Sequence, residues 1–267
     1  MIKRGVVYLL YGEERKQLIQ NYIEKHQRAS VLQLCDAFNV SESTIRRDLK
    51  ELELDHGIKR THGGAIALES VNFEPTVTEK SDRFLAEKQA IAKRAASYIQ
   101  EGDTILIDAG TTTLPLVYEI KQFQSLTVVT NSVVHAELLK DSPQFEVIVP
   151  GGRLRHETQA LVGPITDQTL SILHVDKAFI GTNGIDLEDG LTTPNLIEAS
   201  TKQLMVQQAS DAIVLADHSK FDKVTFAKFA ELSKIHHLIT DDRVDDWYQT
   251  ELDRIGVKLD IVKLQED

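Results

Sequence analysis

Three cations and three hydroxyls cluster in Ser41-Glu42-Ser43-Thr44-Ile45-Arg46-Arg47-Asp48-Leu49-Lys50-Glu51-Leu52. At about 100° per residue, Ile45, Leu49 and Leu52 share one face of a helix, while Ser43, Arg46, Arg47 and Lys50 fall on the other. The chemistry offered is recognition of a polyanion. Ser41, Ser43 and Thr44 at the helix start suit phosphate or base edges, and Arg one turn on suits bidentate contact with guanine. Lys59, Arg60 and His62 follow close behind, where they would meet flanking backbone. An amphipathic surface helix can carry three cations without touching DNA, so the order of neighbouring elements has to decide.

A second group of residues sits at the ends of apolar runs. Ile105-Leu106-Ile107-Asp108-Ala109-Gly110-Thr111-Thr112-Thr113 reads as a strand that ends in a small-residue loop and opens a helix. Free backbone N–H groups at such a helix start, with hydroxyls beside them, suit an anion, although Gly-Thr-Thr can equally turn and cap. Thr130-Asn131-Ser132, Gly151-Gly152-Arg153 and Gly181-Thr182-Asn183-Gly184 follow further strands. In an open α/β sheet, ligands lie beyond the carboxyl ends of the strands, where all these loops are expected. Asp217-His218-Ser219-Lys220-Phe221 also follows a strand, so that Lys220 offers a point charge to a phosphate and Asp217 an acceptor to a sugar hydroxyl. Glu198 and Lys202 stand four residues apart on an expected helix, a spacing that most often makes only a surface ion pair.

The elements that would position these groups fall into two parts. Residues 13–27 carry Leu18, Ile19, Tyr22 and Ile23 at helical spacing. Ser30 caps a second helix, Asn39-Val40 breaks it, and Ser41 caps the third. Residues 58–61 and 65–68, joined through Gly63-Gly64, read as two short strands of a β-wing. Three helices and a wing in residues 13–68 make a winged helix-turn-helix, an arrangement specific enough to favour DNA reading. Residues 69–81 turn polar, contain Pro75 and lose apolar periodicity, which places a linker there. Residues 1–12 read as a leader extension. Residues 82–267 open on a helix expected over 82–100 and then alternate strands, expected at 104–107, 126–130, 145–149, 177–180, 212–215 and 237–240, with helices. That alternation predicts a mostly parallel sheet covered on both faces, and so a larger α/β domain.

The motifs Glu14-Arg15, Val40-Ser41-Glu42-Ser43-Thr44-Ile45-Arg46-Arg47-Asp48-Leu49, Leu52-Glu53 and Lys59-Arg60-Thr61-His62-Gly63-Gly64-Ala65 resemble those of DeoR-type bacterial transcription regulators. The resemblance continues through Asp108-Ala109-Gly110-Thr111-Thr112, Val129-Thr130-Asn131, Gly151-Gly152, Val162-Gly163, Asp176-Lys177-Ala178-Phe179, Glu198-Ala199 with Lys202, and Asp217-His218-Ser219-Lys220-Phe221. It departs at Leu54-Asp55-His56-Gly57-Ile58, between helix and wing, which should shift local packing. The resemblance implies a sensor domain similar in fold to ribose-5-phosphate isomerase and CoA transferases. It also implies a phosphorylated sugar that usually releases a repressor from operator DNA. Gly181-Thr182-Asn183-Gly184 with Gly190-Leu191-Thr192-Thr193-Pro194 looks most like fructose-operon repressors, implying fructose 1-phosphate. On this reading the effector-binding residues are Asp108, Gly110, Thr111, Thr112, Asn131, Ser132, Gly152, Arg153, Asn183, Glu198, Lys202, Asp217 and Lys220, with no cofactor and no catalytic residue.

A sugar-phosphate isomerase is the rival reading. It needs a positioned base and a polariser for the carbonyl, and the amide of Asn183 cannot act as a base. Asp108, Glu198 and Lys220 remain available as catalytic groups.

Composition bounds the choice. Of 267 residues, 42% are hydrophobic and 27% charged, which argues against dominant disorder. The net charge is -11, but residues 1–66 hold 11 Lys or Arg against 9 Asp or Glu, which leaves 19 against 32 for the rest. A slightly basic head on an acidic body suits a DNA-reading module whose body stays off the phosphates. The lone Cys35 excludes an intramolecular disulfide framework and a Cys-rich zinc module, and a reducing cytoplasm is the expected setting. Cys35 is expected on the inner face of helix two, and Trp247 as a packing anchor. His135, His174, His236 and His237 have no metal-ligand spacing, and adjacent His236 and His237 are expected on opposite faces of a strand. No apolar run is long enough to span a bilayer. One head contacts few base pairs, so a homodimer or homotetramer on repeated half-sites is expected.

Overall fold

The computed structural model describes residues 12–26, 28–54, 58–61, 63–67 and 77–264. The chain divides into two units, Met1–Val71 and Asn72–Asp267.

In the first unit, α1 (Gly12–His26) and β1 (Arg28–Ser30) lead into α2 (Val31–Phe38) and α3 (Glu42–Leu54), and β2 (Ile58–Arg60) and β3 (Gly64–Ala67) close it. Ser30 and Gln33 form a reciprocal capping box on α2, and Asn39 takes a left-handed conformation (φ 51°) that ends α2 and turns the chain into α3. Ser41 then caps α3, its Oγ accepting from Thr44 N at 3.4 Å. Ile19, Ile23, Leu34, Ile45, Leu49, Leu52 and Ile58 form the core. The wing has one strand more than the sequence pattern indicates, because β1 pairs antiparallel with β3 in the order β1-β3-β2. Gly64 is required there: a Cβ would lie 2.1 Å from Ala29 O. Cys35 is half-buried at the core's edge.

The second unit begins with α4 (Val77–Ser81), so helix stands where the polar composition predicts linker, as Gly12 in α1 stands where it predicts leader. Then follow α5 (Leu85–Ala96), β4 (Thr104–Ile107), α6 (Leu114–Glu119), β5 (Leu126–Thr130), α7 (Val133–Leu139), β6 (Phe145–Ile148), β7 (Arg153–Arg155), β8 (Ala160–Val162), α8 (Pro164–Ser171) and β9 (Val175–Gly181). The chain continues through β10 (Gly184–Asp186), β11 (Gly190–Thr193), α9 (Leu196–Gln207), β12 (Ala209–Leu215), β13 (Ala227–Ala230), β14 (His237–Asp241), α10 (Trp247–Arg254) and β15 (Lys258–Val262). α5 is shorter than its periodicity predicts, since Phe84 adopts a left-handed conformation (φ 56°) just before it.

Seven strands make a parallel sheet in the order β15-β14-β12-β9-β4-β5-β6. Side chains alternate along each strand, so Ile105, Ile107, Val128 and Phe179 pack under α5, α6 and α7, while Leu106, Val129, Ala178 and Ile180 pack under α8, α9 and α10. Helices on both faces hide the apolar runs, giving the doubly covered α/β architecture that the alternation predicts. From β4 the chain winds outward through β5 and β6. It then returns to the other side of β4 with β9 and runs on through β12, β14 and β15. Strand order therefore reverses between β4 and β9, the position where an open sheet leaves a crevice at its carboxyl edge. An antiparallel sheet, β10-β11-β13, and the hairpin β7-β8 complete the unit.

Candidate functional sites

α3 presents two faces of opposite character. Ile45, Leu49 and Leu52 are buried, whereas Ser41, Ser43, Arg46, Arg47 and Lys50 are exposed and Thr44 is half-buried. The three hydroxyls hold one another, Ser41 Oγ lying 2.9 Å from both Ser43 Oγ and Thr44 Oγ1. Arg46 approaches Glu42 at 3.4 Å, a loose pair between half-exposed side chains that a phosphate would replace at little cost. The inward charge on α3 is Asp48, 2% exposed, which accepts two bonds from Arg15 of α1, at 2.6 Å and 3.0 Å. This fork fixes α1 across α3 and sets the angle at which the cationic face is shown. Arg60 of β2 is tied to the end of the same helix, its N donating to Glu53 Oε1 at 3.0 Å. His62 lies outside the described residues, as does the side chain of Lys59.

The crevice between β4 and β9 holds a buried polar cluster. Asp108 follows β4 and is 2% exposed; its Oδ2 accepts from Gly181 N at 3.1 Å and from Lys202 Nζ. Lys202, 7% exposed on α9, also donates to Gly181 O at 2.9 Å. Burial pushes the Asp108 carboxyl above the ordinary carboxylate range, against the pull of the Lys202 ammonium. The loop after β4 is secured by Asn131, whose Oδ1 accepts from Ala109 N at 2.9 Å and whose Nδ2 donates to Leu161 O at 3.3 Å. Thr113 tightens it further by donating to Asp108 O at 2.6 Å. Thr111 and Thr112 follow in that loop, and their hydroxyls make no hydrogen bond among the described residues.

Glu198 and Lys202 do not pair with each other. Both are buried, because α9 lies on the sheet, and they turn to separate partners. Glu198 accepts from Thr158 Oγ1 at 2.5 Å and lies 3.1 Å from Arg155, while Thr193, 3.4 Å away, also bonds Asn183 Oδ1 at 3.3 Å. Three further expected residues, Gly152, Arg153 and Ser132, have these surroundings. Gly152 (φ 121°) is explained by packing, since a Cβ would lie 2.0 Å from Thr166 Oγ1, and Arg153 is exposed while Arg155, on the same strand, reaches Glu198. Ser132 is spent capping α7, its Oγ accepting from His135 N at 3.2 Å. His135 is buried behind it, and that burial lowers its pKa to about 3, so the ring is neutral.

After β12, Asp217 is 1% exposed and caps the turn His218–Lys220, Oδ1 accepting from Ser219 N at 3.0 Å. Its Oδ2 has no partner among the described residues. Lys220 is half-buried, and its Nζ makes no hydrogen bond or ion pair among them. His218 is fixed by Asp241 at the end of β14, with Nδ1 3.0 Å from Oδ1. Burial pushes the Asp241 carboxyl up, but bonds from the His218 ring and backbone outweigh it and hold the pKa below the usual range.

Lys88, Arg155, Thr158 and Asp241 escape reasoning from motifs. Lys88 alone left a signal: with Phe84, Ile91 and Ala95 it completes the apolar stripe of α5, where a lysine is out of place. His236 and His237, expected on opposite faces, both lie near Asp211, at 3.7 Å and 3.6 Å, because β14 begins only at His237. Among the described residues no group of His, Cys, Asp and Glu could hold a metal, and no helix is long and apolar enough to cross a membrane. Trp247 stacks on Tyr248 at 4.1 Å between centroids and packs on the core.

Comparison with known proteins joins the two units. Residues 15–71 match the DeoR-like helix-turn-helix domain and residues 83–242 the DeoR C terminal sensor domain. The chain is 42% identical over 229 residues to the uncharacterized HTH-type transcriptional regulator FruR of Bacillus subtilis strain 168, covering 85% of this chain and 90% of that one. It is 38% identical over 264 residues to the HTH-type transcriptional repressor GlcR of the same strain, covering 96% and 99%. Ribose 5-phosphate isomerase A from Methanocaldococcus jannaschii aligns with 17% identity and a TM-score of 0.37 over 50% of this chain and 53% of that one, too remote to carry any argument. With both of its units matched and its full-length relatives covered nearly end to end, the chain belongs to the DeoR family of transcriptional regulators.

Proposed function

We propose that this regulator is a repressor of a sugar-utilisation operon. Its head binds double-stranded operator DNA, and a phosphorylated sugar bound in the sensor unit, fructose 1-phosphate in the best reading, releases it. The observation that carries the proposal is the outward face of α3. Ser43, Arg46, Arg47 and Lys50 stand exposed opposite a complete core, so they are available to phosphates and base edges without unfolding anything. Ser41 and Thr44 would contact DNA at the helix start, and Lys59, Arg60 and His62 the flanking backbone.

For the sensor unit, support comes from the crevice at the strand-order reversal. Thr111 and Thr112, in the loop after β4, offer donors that the described residues leave unused; the turn after β12 adds the Lys220 ammonium and Asp217 Oδ2. Gly110, Asn183, Glu198 and Lys202 would shape the pocket, and Asp108 and Asn131 hold its floor. Useful operator specificity needs two heads or more, so the functional form is a homodimer or homotetramer on repeated half-sites.

No turnover is proposed. Asp108, the strongest candidate base, already accepts from an ammonium and a backbone N–H, and an acceptor so engaged is a poor abstractor of a carbon-bound proton. Fluorescence anisotropy of labelled DNA from upstream of the protein's own gene, titrated with and without a panel of sugar phosphates, tests the reading. Binding released by one compound is expected. Absence of DNA binding at moderate salt would overturn the repressor reading, leaving a sensor if a sugar phosphate still bound; conversion of a ribose or fructose phosphate that Asp108→Ala abolishes would replace the repressor with an enzyme.

A further inference from the structure

Lys88 lies in the first turns of α5, 3% exposed, on the stripe that otherwise packs the sheet. An ammonium carries three N–H donors, yet among the described residues Lys88 Nζ makes one hydrogen bond, to Lys80 O at the end of α4, at 2.5 Å. Burial brings its pKa down to about 8; the Asp217 carboxylate opposes this, and the cations Lys220, Lys80 and Arg83 add to it. Asp217 is the complementary case, a carboxylate 1% exposed whose Oδ2 no described residue satisfies. Two buried groups of opposite charge, on α5 and after β12, thus sit near each other without forming an ion pair. A ligand that brings both an anion and a hydroxyl satisfies them together: the anion accepts from Lys88 and Lys220, and the hydroxyl donates to Asp217 Oδ2.

α4 is tied at both ends to elements of this neighbourhood. Val77 N donates to Glu157 O at 3.1 Å, in the hairpin whose Arg155 and Thr158 hold Glu198, and Lys80 O accepts from Lys88. We propose that Lys88 is the residue that takes the phosphate of the effector, and that in doing so it gives up Lys80 O and loosens α4. The inference rests on the sugar-phosphate reading above and adds to it the group that senses and the tie that is broken. α4 is the first described element after the DNA-reading unit, so a change there lies on the chain path between effector and operator.

The test uses the full chain with fructose 1-phosphate, fructose and inorganic phosphate as calorimetric probes, and hydrogen exchange of residues 77–81 as the second readout. Loss of a charge-assisted bond predicts that Lys88→Met weakens fructose 1-phosphate binding about tenfold or more, leaves fructose unchanged, and that Lys88→Arg restores most of the loss. In the unsubstituted protein, fructose 1-phosphate and not fructose should speed exchange at residues 77–81. That arm needs no variant and decides the matter if Lys88→Met fails to fold. Binding of fructose 1-phosphate within about twofold of the original in Lys88→Met, or unchanged exchange at 77–81 on binding, overturns the inference while leaving the effector reading in place. If the unsubstituted protein binds neither fructose 1-phosphate nor phosphate, the effector reading falls and this inference with it.

Discussion

In the head, Arg46, Arg47 and Lys50 reach solvent from a helix whose packing is completed by Ile45, Leu49 and Leu52; in the sensor unit, Asp108, Glu198 and Lys202 are themselves part of the packing. The head keeps its recognition charges apart from its folding. The sensor unit merges the two, so a substitution in its crevice changes stability and ligand affinity together. DNA is a large, rigid polyanion that a preformed exposed face can meet, whereas a small metabolite has to be enclosed, and enclosure puts charges where they need partners.

The largest test of that contrast is at Lys202. Lys202→Met leaves Asp108 buried without its ammonium, and breaking a pair of this kind costs about 3 to 5 kcal/mol, read as a drop in the urea midpoint at pH 7.5. Because the stranded carboxyl escapes by binding a proton, the loss should shrink as pH falls, and adding Asp108→Asn should recover much of it. A loss below about 1 kcal/mol would mean that the pair behaves like a surface contact, and the contrast would fail.

Asp48 is the most buried charge among the described residues of the head, and it should behave like the sensor's. Asp48→Asn removes the negative charge from the Arg15 fork and leaves that guanidinium, itself mostly buried, facing a neutral amide. A loss of about 2 to 3 kcal/mol in unfolding free energy is expected, with weaker operator binding as a consequence of a displaced α3. Operator affinity that falls with no change in unfolding would instead make Asp48 a DNA-facing group. Arg47→Ala should do the opposite. The side chain is exposed, so stability should move by less than about 0.5 kcal/mol. Operator affinity should fall by about 1 to 3 kcal/mol, with effector binding untouched.

What could be read in advance follows the same division. The two faces of α3 come directly from periodicity, since an exposed cationic stripe and an apolar one alternate in the sequence itself. The parallel sheet is visible in its apolar runs, and the loops after β4 and β9 in their Gly, Thr and Asn. Hidden were features that depend on tertiary contact. β1 is a strand only because Gly64 lets β3 come close, and three residues carry no periodicity of their own. Glu198 and Lys202 have the spacing of a surface pair, and only the burial of α9 sends them to Arg155, Thr158 and Asp108. In the short strands β10, β11 and β13 the few β-branched residues are interrupted by Gly, Ala, Asp and Lys, so no run like those of the main sheet stands out.

A last test isolates one buried group of the sensor unit by pH alone. His135 sits behind the Ser132 cap with its Nδ1 3.3 Å from Thr130 Oγ1, and its folded pKa is lowered to about 3 by burial. The unfolded chain takes up a proton near the ordinary histidine value of about 6.5, so between those two values the unfolded state holds the extra proton. Stability is therefore fully present above that range and is lost as pH falls through it, at about 1.4 kcal/mol for each pH unit. His135→Gln keeps a polar side chain of similar reach and removes the titration. The difference in unfolding free energy between the original protein and this variant, measured from pH 7.5 down to pH 5, should narrow as the solution becomes more acid. A difference that stays constant over that interval would mean that the imidazole takes up its proton in the folded state as readily as in the unfolded one. His135 would then join the exposed groups of the head on the other side of the comparison.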